Sequence, residues 1–493
     1  MTEAPSSSEL PRVDGPSTFE RDAVAAVRAL DRFLAQSERG EAPVIRQPPL
    51  AELAASLDLT RLIAEGGLTG QRLEGFLERY LATATRLHHP GYYAHQVAAP
   101  EPHGAIGALV DGLTNNAMAI YEMGPGAAAI EYVLVNWMLQ KVGWTPAPLP
   151  PAHHAPGACG GGALTHGGSL ANLTALAAAR AHADPSAWRD GPRRDLVVVA
   201  PPVAHYSIAR AVGILGLGQR ALVPAPCDQD GRAQPDRLAA LVDALRAEGK
   251  VVMAVVADAC STAAGLYDPL REIGACCRER GLWLHVDGAH GASALLSPRL
   301  RGRLAGVEQA DSLVWDAHKM LRTPTLCAAV LVRDHRHLDG AFQQEASYLF
   351  HRKDEPGFDF MPRVVECTKA GLGLRLFMAL AAGGEGALAA YLERQTALAS
   401  AAADLLAREP GWAVAVRPES NIVCFRLPGD DARQLDLRRA LLSEGRHYLS
   451  STELGGRRWL RLALMSPATD AAELERLVED LRRLAATPAA APG

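Results

Sequence analysis

A chain of 493 residues, 48% of them hydrophobic, can bury a large core and has the length of an α/β enzyme built in more than one part. Its formal net charge of -5, with no basic run and no basic–aromatic interleaving, excludes the electrostatic footprint of a nucleic-acid binder. The eight cysteines contain no CxxC pair, which excludes a zinc ribbon or a disulfide framework and reads as reduced core thiols. The first residues, MTEAPSSSELPRVDG, form neither a basic nor an apolar leader, and no apolar run reaches bilayer length. A soluble, cytoplasmic protein is therefore expected.

In chain order, residues 1 to about 17 are Ser/Pro-rich and predicted disordered. Phe19, Val24, Val27, Leu30 and Leu34 then recur at helical spacing, until PVIRQPPL breaks the pattern. Two further helices are predicted in PLAELAASLDL and TGQRLEGFLERYLATATRL. An arm of this kind cannot fold alone against so little surface. The cluster HHPGYYAHQ (88–96) is polar and aromatic, and its residues suit either a substrate contact or a loop covering helix ends. A long helical stretch from Leu109 to Trp144, interrupted at Gly124–Gly126, leads to a surface excursion, PAPLPPAHHAPG.

GGALTHGGSLANLTALAAAR (161–180) puts a glycine-rich turn directly before an Ala/Leu-rich helix. Such a turn offers free backbone N–H groups and a positive helix end to an anion, although GG turns before helices are common. The run LVVVA (196–200) reads as a buried strand, with His205 between it and the next helix, where it serves as a helix cap or faces a ligand. VVMAVVADACSTAAGLYDPL (251–270) gives a second strand, followed by Ser261 and Thr262. Apolar runs at Leu282–Val286 and Ser312–Trp315 end on loops that carry Asp287 and His318-Lys319. Alone, such residues are usually solvated; together at neighbouring strand ends they can face one ligand. A lysine amine beside a carboxylate is what pyridoxal 5′-phosphate (PLP) needs: an amine for its aldehyde and an acid to keep its ring nitrogen protonated. The alternation from 196 to 334 predicts a mainly parallel sheet with helices on both faces. Residues 350–367 read as a flexible lid around Pro356 and Gly357. Beyond residue 372 a long helix, a hairpin in WAVAVRPESNIVCFRL, a helix near DARQLDLRRALLSEG, the strand RWLRLALM and a closing helix predict a small α+β domain.

HVDGAHGA followed by WDAHKM resembles the core of the group II PLP-dependent amino acid decarboxylases, a family that includes the glutamate, aromatic amino acid, cysteine sulfinate and diaminobutyrate enzymes. The likeness runs from about His89 to about Thr469 with the motifs in family order. It implies a fold type I PLP-dependent transferase architecture, with an N-terminal helical arm (1–110) packed across a homodimer, a large PLP-binding domain (111–371) and a small C-terminal domain (372–493). It implies decarboxylation of an L-amino acid, with Lys319 as the Schiff-base lysine, Asp287 on the ring nitrogen and His205 stacked on the ring. Gly167, Gly168 and Ser169 would cradle the phosphate, although Leu170 replaces the family's usual Glu. Thr262 and His318 are further cofactor contacts by the same likeness. Tyr93, His95, Gln96 and Arg461 are the candidate substrate contacts. Asp316 departs from the family's Asn in NPHK. Phe358 falls near the loop tyrosine that gives the product carbon its proton, a change that opens an aldehyde-forming alternative beside other carbon–carbon lyase chemistry. The polar 93–96 cluster points to aspartate, glutamate or cysteine sulfinate, ahead of diaminobutyrate or an aromatic amino acid.

Overall fold

The computed structural model describes residues 18–149, 158–343 and 357–486. The Ser/Pro-rich amino terminus, residues 150–157 of PAPLPPAHHAPG and the first part of the predicted lid, residues 350–356 with Pro356, lie outside the described residues.

Twelve strands are described: β1 (Tyr92–Tyr93), β2 (Gly161–Thr165), β3 (Leu196–Ala200), β4 (Leu222–Pro224), β5 (Val251–Asp258), β6 (Leu284–Asp287), β7 (Ser312–Asp316), β8 (Ala328–Val332), β9 (Ala413–Val414), β10 (Ile422–Arg426), β11 (Tyr448–Leu454) and β12 (Arg457–Ala463). Seven of them form one sheet in the order β2-β8-β7-β6-β5-β3-β4. Its five central and edge strands from β7 to β4 run parallel, while β8 is antiparallel to both β7 and β2. The runs LVVVA and VVMAVVAD are rich in valine and nearly continuous in apolar residues, as a strand covered on both faces requires. Alternate residues accordingly enter two apolar layers: Val197, Val199 and Val255 pack with Leu270 and Ile273, and Val198 and Val256 pack with Leu176, Ile208 and Val212. This is the helix-covered, mainly parallel sheet of fold type I PLP enzymes.

One feature of this sheet positions the site. The neighbouring strands β5, β6 and β7 each end on an aspartate, at 258, 287 and 316. All three carboxyls therefore emerge at one sheet edge.

The second sheet has the order β1-β11-β12-β10-β9. It is antiparallel except where β1 joins β11 in parallel, with Tyr92 opposite Tyr448 and Tyr93 opposite Leu449. The helices Asp431–Glu444 and Ala471–Ala486 cover it through Leu437, Leu441, Leu474 and Leu481. Strand β11 has no strand pattern in the sequence, because its centre is Ser-Ser-Thr; it owes its conformation to pairing with β12 and β1. The long helical stretch read from Leu109 is two helices, Pro102–Thr114 and Pro125–Val142, parted by Asn115 in the left-handed region at φ 48°.

Among the described residues one helix, Leu372–Ala407, is long and apolar enough to cross a membrane by length and composition alone, although Arg375 and Glu385 interrupt its apolar sequence. Gly384, at φ 73° and ψ 178°, breaks it in the middle. Its Leu372, Leu376, Leu388, Leu392 and Leu406 are buried against the rest of the protein.

Candidate active site

A cavity opens at the carboxyl edge of the seven-stranded sheet, lined by residues from β5, β6 and β7, the glycine-rich turn and the His205 loop. Gly167, Gly168, Ser169, His205, Thr262, Asp287, His318 and Lys319 all line it. Residues spread over some 150 positions of sequence are thus brought together because parallel strands deliver their ends, and the loops that follow, to the same side.

The turn before the helix Gly168–Ala183 places Gly167 at φ 102°, a conformation that favours glycine. Helical hydrogen bonding starts with Leu170 N–H and Ala171 N–H, both donating to the Gly167 carbonyl. The N–H groups of Gly168 and Ser169 precede it and, among the described residues, have no hydrogen-bond acceptor, as is usual at a helix amino terminus. Gly168 is also fixed by its neighbour: a Cβ there would stand 2.7 Å from both carboxylate oxygens of Asp316. Gly168→Ala is therefore expected to push Asp316 out of place and weaken PLP binding about tenfold or more, as read by titrating the cofactor-free protein with PLP.

Lys319 Nζ lies 3.0 Å from Asp316 Oδ2. Burial alone would lower the lysine pKa, but the charges of Asp316 and Asp287 outweigh it and raise the value. The other oxygen of Asp316 is buried and has no hydrogen-bond partner among the described residues. His318 donates from Nδ1 to the Cys327 carbonyl at 2.7 Å, leaving its Nε2 3.6 Å from Asp316 Oδ2.

Asp287 is set by a residue that the sequence reading did not single out. Asn172, on the glycine-turn helix, donates from Nδ2 to Asp287 Oδ2 at 2.9 Å and to Ser207 Oγ at 2.9 Å. Its Oδ1 lies 2.8 Å from His285 Nε2, and His285 Nδ1 lies 2.8 Å from Ser312 Oγ. Since an amide oxygen only accepts, His285 carries its proton on Nε2 and accepts on Nδ1. Burial, which lowers the His285 pKa to about 4, keeps that ring neutral. Ser207, accepting from Asn172, donates to His205 Nδ1 at 2.8 Å. His205 therefore presents an Nε2–H form, and burial lowers its pKa in spite of the nearby Asp287. The legible signal was an amide side chain four residues on from Gly168, among the buried alanine and leucine positions of the helix.

The candidate substrate contacts are divided. Tyr93 is fully buried in the core of the five-stranded sheet and stacks on His447 at 6.1 Å, so it does not reach the cavity. Successive residues of a strand point to opposite faces, and β1 turns Tyr92 one way and Tyr93 the other. His95 is exposed and its Nε2 bonds the Tyr448 hydroxyl at 2.9 Å. Gln96 Nε2 is buried without a partner among the described residues. The chain here passes the site, because Ala94 O accepts from Arg461 Nη1 at 3.4 Å and Ala98 N–H donates to His318 O at 3.2 Å. Arg461 is 6% exposed, and its Nε and Nη2 have no hydrogen-bond partner among the described residues. Burial lowers its pKa, against the opposing pull of the thiols Cys424 and Cys260 and the phenol Tyr92 around it. Phe358 is not at the cavity; it packs against Tyr132 and Phe360 with ring centres 4.8 Å apart in each pair.

The groups lining the cavity form a set that suits PLP: N–H donors at a helix start for a phosphate, an amine for an aldehyde and a carboxyl for a ring nitrogen. Comparison with known proteins agrees. The family described as the pyridoxal-dependent decarboxylase conserved domain matches residues 69–428. Human cysteine sulfinic acid decarboxylase is 27% identical over 439 residues, covering 84% of this chain and 86% of that protein. L-2,4-diaminobutyrate decarboxylase of Acinetobacter baumannii is 26% identical over 438 residues, covering 84% and 83%. The crystal structure of mouse CSAD superposes with a TM-score of 0.86 at 24% identity, covering 96% of this chain and 99% of that one. The chain belongs to the pyridoxal-dependent decarboxylase family, as an amino acid carboxy-lyase whose cofactor is pyridoxal 5′-phosphate.

Proposed function

We propose that the protein converts an L-amino acid to its amine and CO2, with Lys319 as the residue that holds the cofactor's aldehyde carbon. The observation that carries this reading is the shared cavity of Lys319, Asp287 and the 167–169 turn. When bound, the cofactor supplies the electron sink into which the carboxylate's bonding electrons drain as CO2 leaves. The chain's own residues bind and orient. Gly168 and Ser169 hold the phosphate through backbone N–H groups, Gly167, whose own N–H donates to the Thr165 carbonyl, shapes the turn at its φ of 102°, and Thr262 and His318 lie beside it. Asp287, aimed by Asn172, holds a proton on the ring nitrogen. His205, fixed by Ser207, covers the ring face.

Arg461 is assigned to the substrate. A buried guanidinium with two unmet nitrogens calls for an anion, and a carboxylate supplies one. Arg461→Gln is expected to raise KM about 100-fold, while thermal stability holds or rises because a buried, poorly paired charge is removed. Small polar amino acids, with aspartate, glutamate and cysteine sulfinate first, are the substrates proposed. The polar segment at His95 and Gln96 supports them, and the names of the relatives from human and A. baumannii both specify polar amino acids.

A second copy of the chain is proposed as the partner. Val24, Val27 and Leu30 on the first helix and Ile106, Leu109 and Leu113 on the helix Pro102–Thr114 are exposed apolar side chains, a surface suited to a homodimer. The test of function is product analysis of the PLP-loaded protein, incubated aerobically with the common amino acids, cysteine sulfinate and diaminobutyrate. An amine with equimolar CO2 supports the reading. An aldehyde with peroxide, or no loss of CO2 from any of them, speaks against it.

A further inference from the structure

Asp258 is the aspartate of the three strand ends for which the cofactor reading has no use. β5 and β6 are parallel and in register, with Asp258 directly opposite Asp287. Paired residues of a parallel ladder project to the same face about 4.8 Å apart, and both side chains line the cavity. Their surroundings differ. Asp287 accepts from Asn172 Nδ2 at 2.9 Å and from Ala289 N–H at 3.2 Å. Asp258 is 4% exposed, and its Oδ2 has no partner among the described residues. Burial, reinforced by the neighbouring Asp268 and Asp287, pushes its pKa well above the ordinary carboxyl range. A carboxyl in that position keeps its proton and becomes a donor, whereas its neighbour acts as an acceptor.

We infer that Asp258 is a further cofactor-binding residue, a neutral carboxylic acid that donates its proton in a hydrogen bond to the 3-oxygen of the bound cofactor ring, beside Asp287 on the ring nitrogen. The two ring positions are separated by one carbon, and the two strand ends offer one acceptor and one donor side by side. The inference rests on the assignment of Lys319 and Asp287 to the cofactor. A donor at the 3-oxygen favours the form in which that oxygen has lost its proton and the lysine-linked nitrogen carries it. Removing the donor shifts the balance towards the other form.

The test uses the PLP-loaded full chain and three variants, Asp258→Thr, Asp258→Val and Asp258→Asn, with the ratio of the long- to the short-wavelength absorbance band of the lysine-bound cofactor as readout. Thr and Val share shape and differ in the hydroxyl, so a packing effect moves both alike. The expected result is a ratio within twofold of the parent for Thr and Asn, which still donate, and a severalfold lower ratio for Val. Equal ratios in Thr and Val overturn the inference, as does an Asn ratio as low as that of Val. A parent protein with no long-wavelength band overturns this inference together with the Lys319 assignment, whereas a normal parent band with equal Thr and Val ratios overturns this inference alone.

Discussion

Lys319→Ala abolishes the visible band of the PLP-loaded protein and lowers turnover by about 10³-fold or more, because the amine that holds the cofactor's aldehyde carbon is gone. The same change carries a stability cost. Asp316 is 2% exposed, and Lys319 Nζ at 3.0 Å is its close cationic partner. Removing one member of a buried pair leaves an uncompensated charge, at a cost of about 3–5 kcal/mol unless the acid takes up a proton. Lys319→Arg separates the two effects. The guanidinium retains a cation beside Asp316 but cannot attach the cofactor. The account predicts lost absorbance in both variants, with thermal stability lost mainly in Ala. Absorbance spectra and thermal melts of the two proteins check it.

The second large effect is expected at Asp287. Asp287→Asn keeps the size of the side chain and removes its charge, so the ring proton is no longer held and the electron sink becomes shallow. Turnover per bound cofactor should fall by about 10²–10³-fold, a size typical of losing one preorganised electrostatic group. Cofactor content should fall far less, since Lys319 and the turn are untouched. Steady-state rates normalised to bound PLP measure the effect. Asn172→Ala should reproduce part of it, because Asn172 donates to Asp287 and also links Ser207 and His285. A variant of Asn172 that loses only thermal stability would limit that residue to packing.

The sequence was most informative where a strand end and a loop carry the chemistry. The runs LHVD and SLVWDAHK state both the buried strand and the residue that follows it, and the sheet brings Asp287, Lys319, His205 and the glycine turn to one cavity. It was least informative where an isolated polar residue sits inside a regular element. Asn172 lies within an Ala/Leu helix and Asp258 closes an apolar strand, and both look like ordinary terminal or solvent-facing positions until tertiary packing buries them. Asp258 bore the same pattern as Asp287, an apolar strand ending in aspartate, so the signal was present. The pairing of Asp316 with Lys319 needed the turn that follows β7. Tyr93 shows the opposite failure. The cluster GYYAHQ contains no period that says which tyrosine faces the site, and the two-residue strand β1 decides it by alternation. β11 was missed for a related reason, since its Ser-Ser-Thr centre becomes a strand only through its neighbours.

The central claim is that Lys319 holds the cofactor opposite Asp287. Borohydride reduction of the PLP-loaded protein, followed by peptide mapping by mass spectrometry, tests it most directly. The account predicts one reduced pyridoxyl-phosphate adduct per chain, on the peptide that contains Lys319. An adduct on Lys141, Lys250, Lys353 or Lys369 instead, or none at all, would contradict it.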